Sequence, residues 1–170
     1  DDPEMFYRVT QDPKSIFLAC ITDEGTLAGI CAAAPLSEFS NIRLVDTDAA
    51  LQDPNALYSI DLTIHPEFQN QGLGLRFKSE QYMSAYQSGT TVIRSRNRLP
   101  DAVSMAGLNQ SLSAVMLKRD HHSYGGEGTA AYQSVTLSRN EPLLGPVSQY
   151  AGALKNKTSL GNFVSETCVS

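Results

Sequence analysis

The segment ALYSIDLTIHPEFQNQGLGLRF, residues 56 to 77, constrains the fold more than any other stretch of the chain. Tyr58, Ile60, Leu62 and Ile64 alternate with Ser59, Asp61, Thr63 and His65, the period of a β-strand with two unlike faces. Pro66 stops that strand, because proline cannot donate to a ladder. From Leu73 the pattern turns helical: Leu73 and Phe77 are one turn apart, as are Tyr82 and Tyr86, and Gly89 stands where a left-handed helix cap is wanted. A strand that leaves through a glycine-bearing turn and enters a helix points free backbone N–H groups at one spot. With the positive end of the helix dipole, that makes an anion site. The same glycines would also serve a plain turn before a helix. Phe77 stands where a dinucleotide fingerprint needs its third glycine, and no Lys-Ser/Thr pair follows, so neither that motif nor a Walker loop fits.

The rest of the chain supplies a frame for this unit. Residues 1 to 14 are polar and broken by Pro3 and Pro13. Ile16 to Ile21 and Leu27 to Ala34 read as a β-hairpin turning at Asp23-Glu24-Gly25. Residues 37 to 55 are polar and irregular, with room for one short helical turn. TTVIRS (90 to 95) is a strand. A second helix follows, with Asp101 as N-cap and Met105, Leu108, Leu112 and Val115 on one face. DHHSYGGEGT (120 to 129) reads as a loop and AAYQSVTLS (130 to 138) as a closing strand. GEGTAA (126 to 131) fits a degenerate glycine fingerprint but leads into a strand, so it reads as a hairpin turn. After Arg139 the pattern is that of a polar tail with at most a short helix. Strands and helices in this order indicate an α/β or α+β domain around one mixed sheet.

Composition removes several function classes. Of 170 residues, 41% are hydrophobic and 18% charged, which suits one globular domain and not a disordered chain. The formal net charge is −5, and the densest basic spot, RSRNR (94 to 98), is too short for a nucleic-acid footprint. It reads as a strand end or a solvated loop. No apolar run is long enough to span a bilayer, and no signal-peptide pattern opens the chain. Cys20, Cys31 and Cys168 lack metal-site spacing and read as reduced thiols, the first two buried, in a cytoplasmic protein. The adjacent His121 and His122 lack supporting carboxylate or cysteine, so no metal is expected.

Gln69-x-x-Gly72-x-Gly74, preceded by a strand ending in His65-Pro66, resembles the pyrophosphate-binding motif of the GNAT superfamily of acyl-CoA-dependent N-acetyltransferases. The resemblance covers Ser15 to Ser138, and NRLPDAVSMAGLNQSL adds to it. There Asn97, Met105, Asn109 and Leu112-Ser113-Ala114 stand for a family pattern of Asn, Met, Asn and Leu-Gly-Phe. Ser113-Ala114 departs from Gly-Phe. The resemblance implies a mixed, mostly antiparallel central sheet flanked by helices. It divides the chain into a remnant of the acceptor-side region (1–14), an acyl-CoA-binding core (15–138) and a C-terminal extension (139–170). The family usually carries a strand and one or two helices before the hairpin, so a fragment or one domain of a longer protein is expected.

The resemblance further implies acetyl-CoA as co-substrate. Backbone amides of Asn70, Gln71, Gly72, Leu73 and Gly74, beside Gln69, would cradle its pyrophosphate. Pantetheine would pair with the backbone of Leu62 and Ile64. Arg76 or Lys78 would reach the adenosine phosphate, although a solvated helix face also explains both. Asn109 would contact pantetheine or an ordered water, against an exposed helix residue. Acetyl transfer needs an unprotonated amine, a stabilised oxyanion and a proton for the leaving thiolate. Asp61, on the polar side of a central strand, is the base candidate, although a hydrogen-bonded polar face explains it equally well. A carboxylate is a weak base near neutral pH, so it needs desolvation or a bridging water. His65 neighbours the loop rather than the thioester. The family's usual helix tyrosine is missing, which leaves Tyr124, and after it Tyr132, as fallback acid candidates, although both read more readily as packing residues.

The implied activity is acetyl transfer to a small-molecule or peptide primary amine by direct attack. A non-catalytic acyl-CoA-binding or regulatory domain is the alternative, and an interaction module without CoA a third. No nucleic acid or membrane is expected, and an incomplete sheet edge leaves room for a further domain or a homodimer partner.

Overall fold

A computed structural model describes residues 3–99, 103–123, 128–137 and 163–166. Helix α1 (Pro3–Gln11) opens the described chain where the sequence suggested only a polar stretch. Pro3 stands at its first position, where a missing N–H costs nothing, and Val9 is fully buried beneath it. Strands β1 (Ile16–Ile21) and β2 (Leu27–Pro35) form the expected hairpin, with Gly25 at φ +84° in its turn. Then follow β3 (Ala56–Ile64), α2 (Leu73–Gln87), β4 (Val92–Leu99), α3 (Val103–Ser111), β5 (Val115–Ser123), β6 (Gly128–Thr136) and β7 (Phe163–Glu166). They make one seven-stranded sheet in the order β5-β6-β4-β3-β2-β1-β7. Only β3 and β4 run parallel, because a helix and not a hairpin joins them. The sheet is therefore mixed and mostly antiparallel, with helices against it. Among the described residues no helix is long and apolar enough to cross a membrane.

Two apolar clusters hold the layers together. One joins Leu73, Phe77, Tyr82 and Ala85 of α2 to Leu18, Cys31, Leu57 and Ile93 of the sheet. The other gathers Val9, Leu36, Phe39, Val45, Tyr58 and Tyr132. The polar-looking stretch after β2 supplies three of these, through a 3-10 turn at Leu36–Phe39 and a loop that reaches a second at Ala49–Gln52. Three widely spaced apolar residues give no period, so the sequence hid this packing. Asp48 fastens the loop: Arg94 Nε and Tyr132 Oη donate to its Oδ2, both at 2.8 Å, and the Ala50 amide to its Oδ1 at 2.7 Å.

The alternation along β3 is broken. Ala32 pairs with Asp61 but Ala33 pairs with Ser59, so the register skips Ile60. The extra residue is a bulge, and it inverts the phase of the strand. Before it Leu57 and Ser59 face α2; after it Leu62 and Ile64 do, while Tyr58 and Ile60 pack in the opposite cluster. Beyond the bulge the central strands part. Their pairing ends at Ser59 with Ser95, yet β3 continues to Ile64 against β2 and β4 continues to Leu99 against β6.

Other elements differ from expectation. The run from Val115 through the two histidines is β5, not helix and loop, and Val115 is 63% exposed rather than on the apolar face of α3. RSRNR lies within β4. β7 pairs with β1, so the C-terminal segment adds a strand. Asp101, Cys168 and the first two residues of GEGTAA lie outside the described residues, and its last four begin β6.

Gly29 sets how closely β2, β3 and α2 pack. A Cβ there would lie 2.8 Å from Thr63 O and 2.9 Å from Phe77 Cε2. Gly29→Ala should destabilise the chain by about 1–3 kcal/mol through overpacking, read as a lowered urea midpoint at unchanged m.

Candidate functional site

The turn after β3 is closed by its own side chains. His65 caps a 3-10 turn at Pro66–Phe68, with Nδ1 accepting from the Glu67 amide at 3.4 Å. Gln69 Nε2 donates to Ile64 O at 3.0 Å, and Gln71 Nε2 donates to Glu67 O at 2.9 Å. Asn70 at φ +59° and Gly72 at φ +80° then reverse the chain into α2. Gly72 is the N-cap and brings no capping side chain, and the first turn holds no acidic residue. The first helical bond shown runs from Arg76 N to Gly72 O. The N–H groups of Leu73, Gly74 and Leu75 thus have no acceptor within the helix, and its positive end meets no carboxylate of that turn. Such an end suits a phosphate.

A furrow leads from this turn to the splay. A space of about 550 Å³ is walled by Leu62, Ile64, Met105 and Leu108, with Asn70, Gly72, Leu73 and Gly74 at its mouth. A methyl on Gly74 would touch Ile64 Cδ1 at 3.4 Å, Leu108 Cδ2 at 3.6 Å and Leu62 Cδ2 at 3.7 Å, narrowing the passage between them. Deeper, a second space of about 200 Å³ fills the gap between β3 and β4, bounded by Ser59, Ile60, Asp61, Lys78, Ser95 and Asn97. Leu62 and Met105 border both, so the two spaces adjoin. Adjoining spaces with a helix N-terminus at one end and polar groups at the other suit a long ligand that ends in phosphates.

Polar groups at the deep end come from α2 as well as β3. Lys78 Nζ donates to Ser59 Oγ at 2.6 Å and to Gln81 Oε1 at 3.1 Å, and Gln81 Nε2 donates to Ala32 O at 3.2 Å. Burial drives the Lys78 amine below its ordinary value, against the opposing pull of Cys31 and Asp61. The same burial pushes the Cys31 thiol up to about 11. Asp61 borders the gap, with Thr63 Oγ1 at 3.1 Å from each carboxylate oxygen.

The structure gathers Asp61, Leu62, Ile64, Gln69, Asn70, Gly72, Leu73 and Gly74 along this furrow. Among the other described candidates, Lys78 borders its deep end and the rest are not brought there. Gln71 is exposed and turned back on the 3-10 turn. Arg76 is half-buried where its charge acts on Cys20 of β1, so it does not line the groove. Lys78 points into the sheet, not toward solvent. Asn109 is fully buried, donating to Ser95 Oγ at 3.3 Å and Gln133 Oε1 at 3.2 Å, and borders neither space. Tyr132 lies in the opposite cluster, its hydroxyl engaged by Asp48 and its acidity suppressed by burial and by that carboxylate. His65 stays half-exposed at the turn. Tyr124 lies outside the described residues. His121 pairs with Thr129 across the β5–β6 hairpin, 3.0 Å from Nδ1 to Oγ1, and the described residues hold no metal-capable cluster. Sequence reasoning missed Ser59 and the inward aim of Lys78. The second was signalled by spacing, since Gly74, Lys78, Gln81 and Ala85 share one helical face.

Comparison with known proteins agrees at the level of fold. No protein-family model and no curated protein sequence matches the chain. Solved structures do. The ribosomal-protein-S18-alanine N-acetyltransferase of Escherichia coli superposes with a TM-score of 0.59 at 16% identity, over 82% of this chain and 80% of that one. An acetyltransferase of the GNAT family from Streptococcus pneumoniae gives 0.60 at 14% identity, over 79% and 74%. The spermidine N-acetyltransferase of Vibrio cholerae, solved with CoA and spermine, gives 0.58 at 11% identity, over 80% and 73%. The chain has the fold of the GNAT acetyltransferases.

Proposed function

We propose that this chain is an N-acetyltransferase that carries an acetyl group from acetyl-CoA to a primary amine by direct attack in a ternary complex. The furrow supports the reading: it joins an uncompensated helix N-terminus to a gap in the sheet, along a strand whose inner edge has lost its neighbour. The amides of Asn70, Gly72, Leu73 and Gly74 would bind the pyrophosphate, and Gly72 and Gly74 leave room for it. The parted stretch of β3 at Leu62 and Ile64 would pair with the pantetheine amides, and a free strand N–H there would polarise the thioester carbonyl. Asp61, at the gap, would take the proton of the incoming ammonium directly or through water. The acyl-donor core is residues 15–138, with α1 bordering the acceptor side. Two buried free thiols, Cys20 and Cys31, suit a reducing compartment such as the cytoplasm.

Turnover of acetyl-CoA with a panel of primary amines, followed by thiol release, tests the activity. Asp61→Asn should lower kcat about a hundredfold while leaving acetyl-CoA affinity within about threefold. Equal turnover by the variant would remove Asp61 from the chemistry. Binding without turnover of any amine would favour a regulatory acyl-CoA-binding domain.

A further inference from the structure

Lys78 occupies a position on α2 that usually belongs to an apolar side chain. It faces the sheet, is 3% exposed, and holds Ser59 Oγ and Gln81 Oε1 as acceptors. Two acceptors engage both N–H groups of a neutral amine and leave its lone pair uncommitted. Among the described residues it is the only primary amine bordering either part of the furrow, and it borders the deep end together with Asp61 and Met105. That end encloses about 200 Å³, several times the roughly 30 Å³ share of one water molecule, and so has room for an acetyl group. Burial favours the neutral, nucleophilic form of the amine, while Cys31 and Asp61 favour the charged one.

We propose that Lys78 is itself an acetyl acceptor: its Nζ attacks the thioester carbon of acetyl-CoA held in the furrow, and the chain becomes acetylated at that residue. The C–N bond of the amide forms as the C–S bond breaks, and CoA leaves as the thiol with the proton released by the nitrogen. This rests on the furrow holding acetyl-CoA with its thioester at the splay. Amide formation fills the deep end and is not reversed by the same chemistry. The reaction is therefore a single event per chain, which would switch the site off when acetyl-CoA is present without an acceptor.

The test is to incubate the full chain with acetyl-CoA and no amine, then map acetyl-lysine by peptide mass spectrometry and follow free thiol. Exposed Lys14 and Lys118 serve as internal references for non-directed acetylation. Acetylation at Lys78 should exceed that at either by about tenfold or more, since a held thioester reacts at high effective concentration. Thiol release should stop near one equivalent per chain, and the preference for Lys78 should vanish when the chain is unfolded in urea. A chain that binds acetyl-CoA by calorimetry but carries acetyl only on Lys14 and Lys118 overturns this inference and leaves the donor reading standing. A folded chain that binds no acetyl-CoA overturns both.

Discussion

Replacing Gly72 by glutamate is expected to weaken acetyl-CoA binding at least about a hundredfold while leaving the chain folded. Gly72 caps α2 at φ +80° with no side chain over the exposed amides. A glutamate there puts a carboxylate where the pyrophosphate would bind, and like charge then opposes the ligand. The backbone costs about 1–2 kcal/mol for a Cβ in the left-handed region. The new carboxylate recovers about 0.3–1 kcal/mol from the helix dipole. The net cost to folding is thus at most about 1.7 kcal/mol, below the roughly 2.7 kcal/mol that a hundredfold loss of affinity represents. Gly89 gives the control. It lies at φ +85° beyond the other end of the same helix, with nothing within 4 Å of an added Cβ. Gly89→Ala should lose similar stability and keep its affinity. If calorimetry shows Gly72→Glu binding like wild type, the turn is not the phosphate site.

Asp48→Ala is expected to cost about 3–5 kcal/mol of stability, the largest effect of any single side chain considered. The Asp48 side chain is 3% exposed and Arg94 beside it 12%. Removing the carboxylate leaves a buried guanidinium uncompensated and strips Tyr132 Oη and the Ala50 amide of their acceptor. Against a usual total of about 5–15 kcal/mol, that is a large fraction. The loop carrying Leu36, Phe39 and Val45 should loosen from the sheet first. Burial alone would raise the Asp48 carboxyl, but Arg94, the Ala50 amide and Tyr132 together hold it below its ordinary value. A depressed folded value means a contribution that is complete above the unfolded value, about 3.9, and is lost as pH falls through the folded one. Urea unfolding of wild type and Asp48→Asn at pH 7 and pH 3 should therefore show a gap that narrows in acid. A gap of the same size at both pH values would contradict this account of the ion pair.

The elements legible in the sequence are those punctuated by glycine or proline. Gly25 ends β1 into its hairpin, Pro66 ends β3, Gly72 starts α2 and Gly89 ends it, and each marks a backbone turn that few other residues favour. The furrow's mouth, built on those turns, could be read directly. Its deep end could not. The bulge at Ile60 depends on how β2 registers against β3, a relation between distant segments, and it exchanges the face of every residue after it. Lys78 and Arg76 illustrate the same limit. Both looked like helix-surface cations, yet one is drawn inward by Ser59 and Gln81 and the other sits toward Cys20. The edge strand β5 was hidden because Met105, Leu108, Leu112 and Val115 keep helical spacing across a real break at Ser113, which turns the chain at φ +69°. Local period is blind to such a break.

The most direct test of the central claim is amide hydrogen exchange on the wild-type chain with and without saturating acetyl-CoA. Slowed exchange confined to residues 60–64 and 70–75, with Gly89 and the β5–β6 hairpin unchanged, is the predicted result. Unchanged rates in both segments, or protection centred elsewhere, would contradict the assignment of this furrow to the acyl donor.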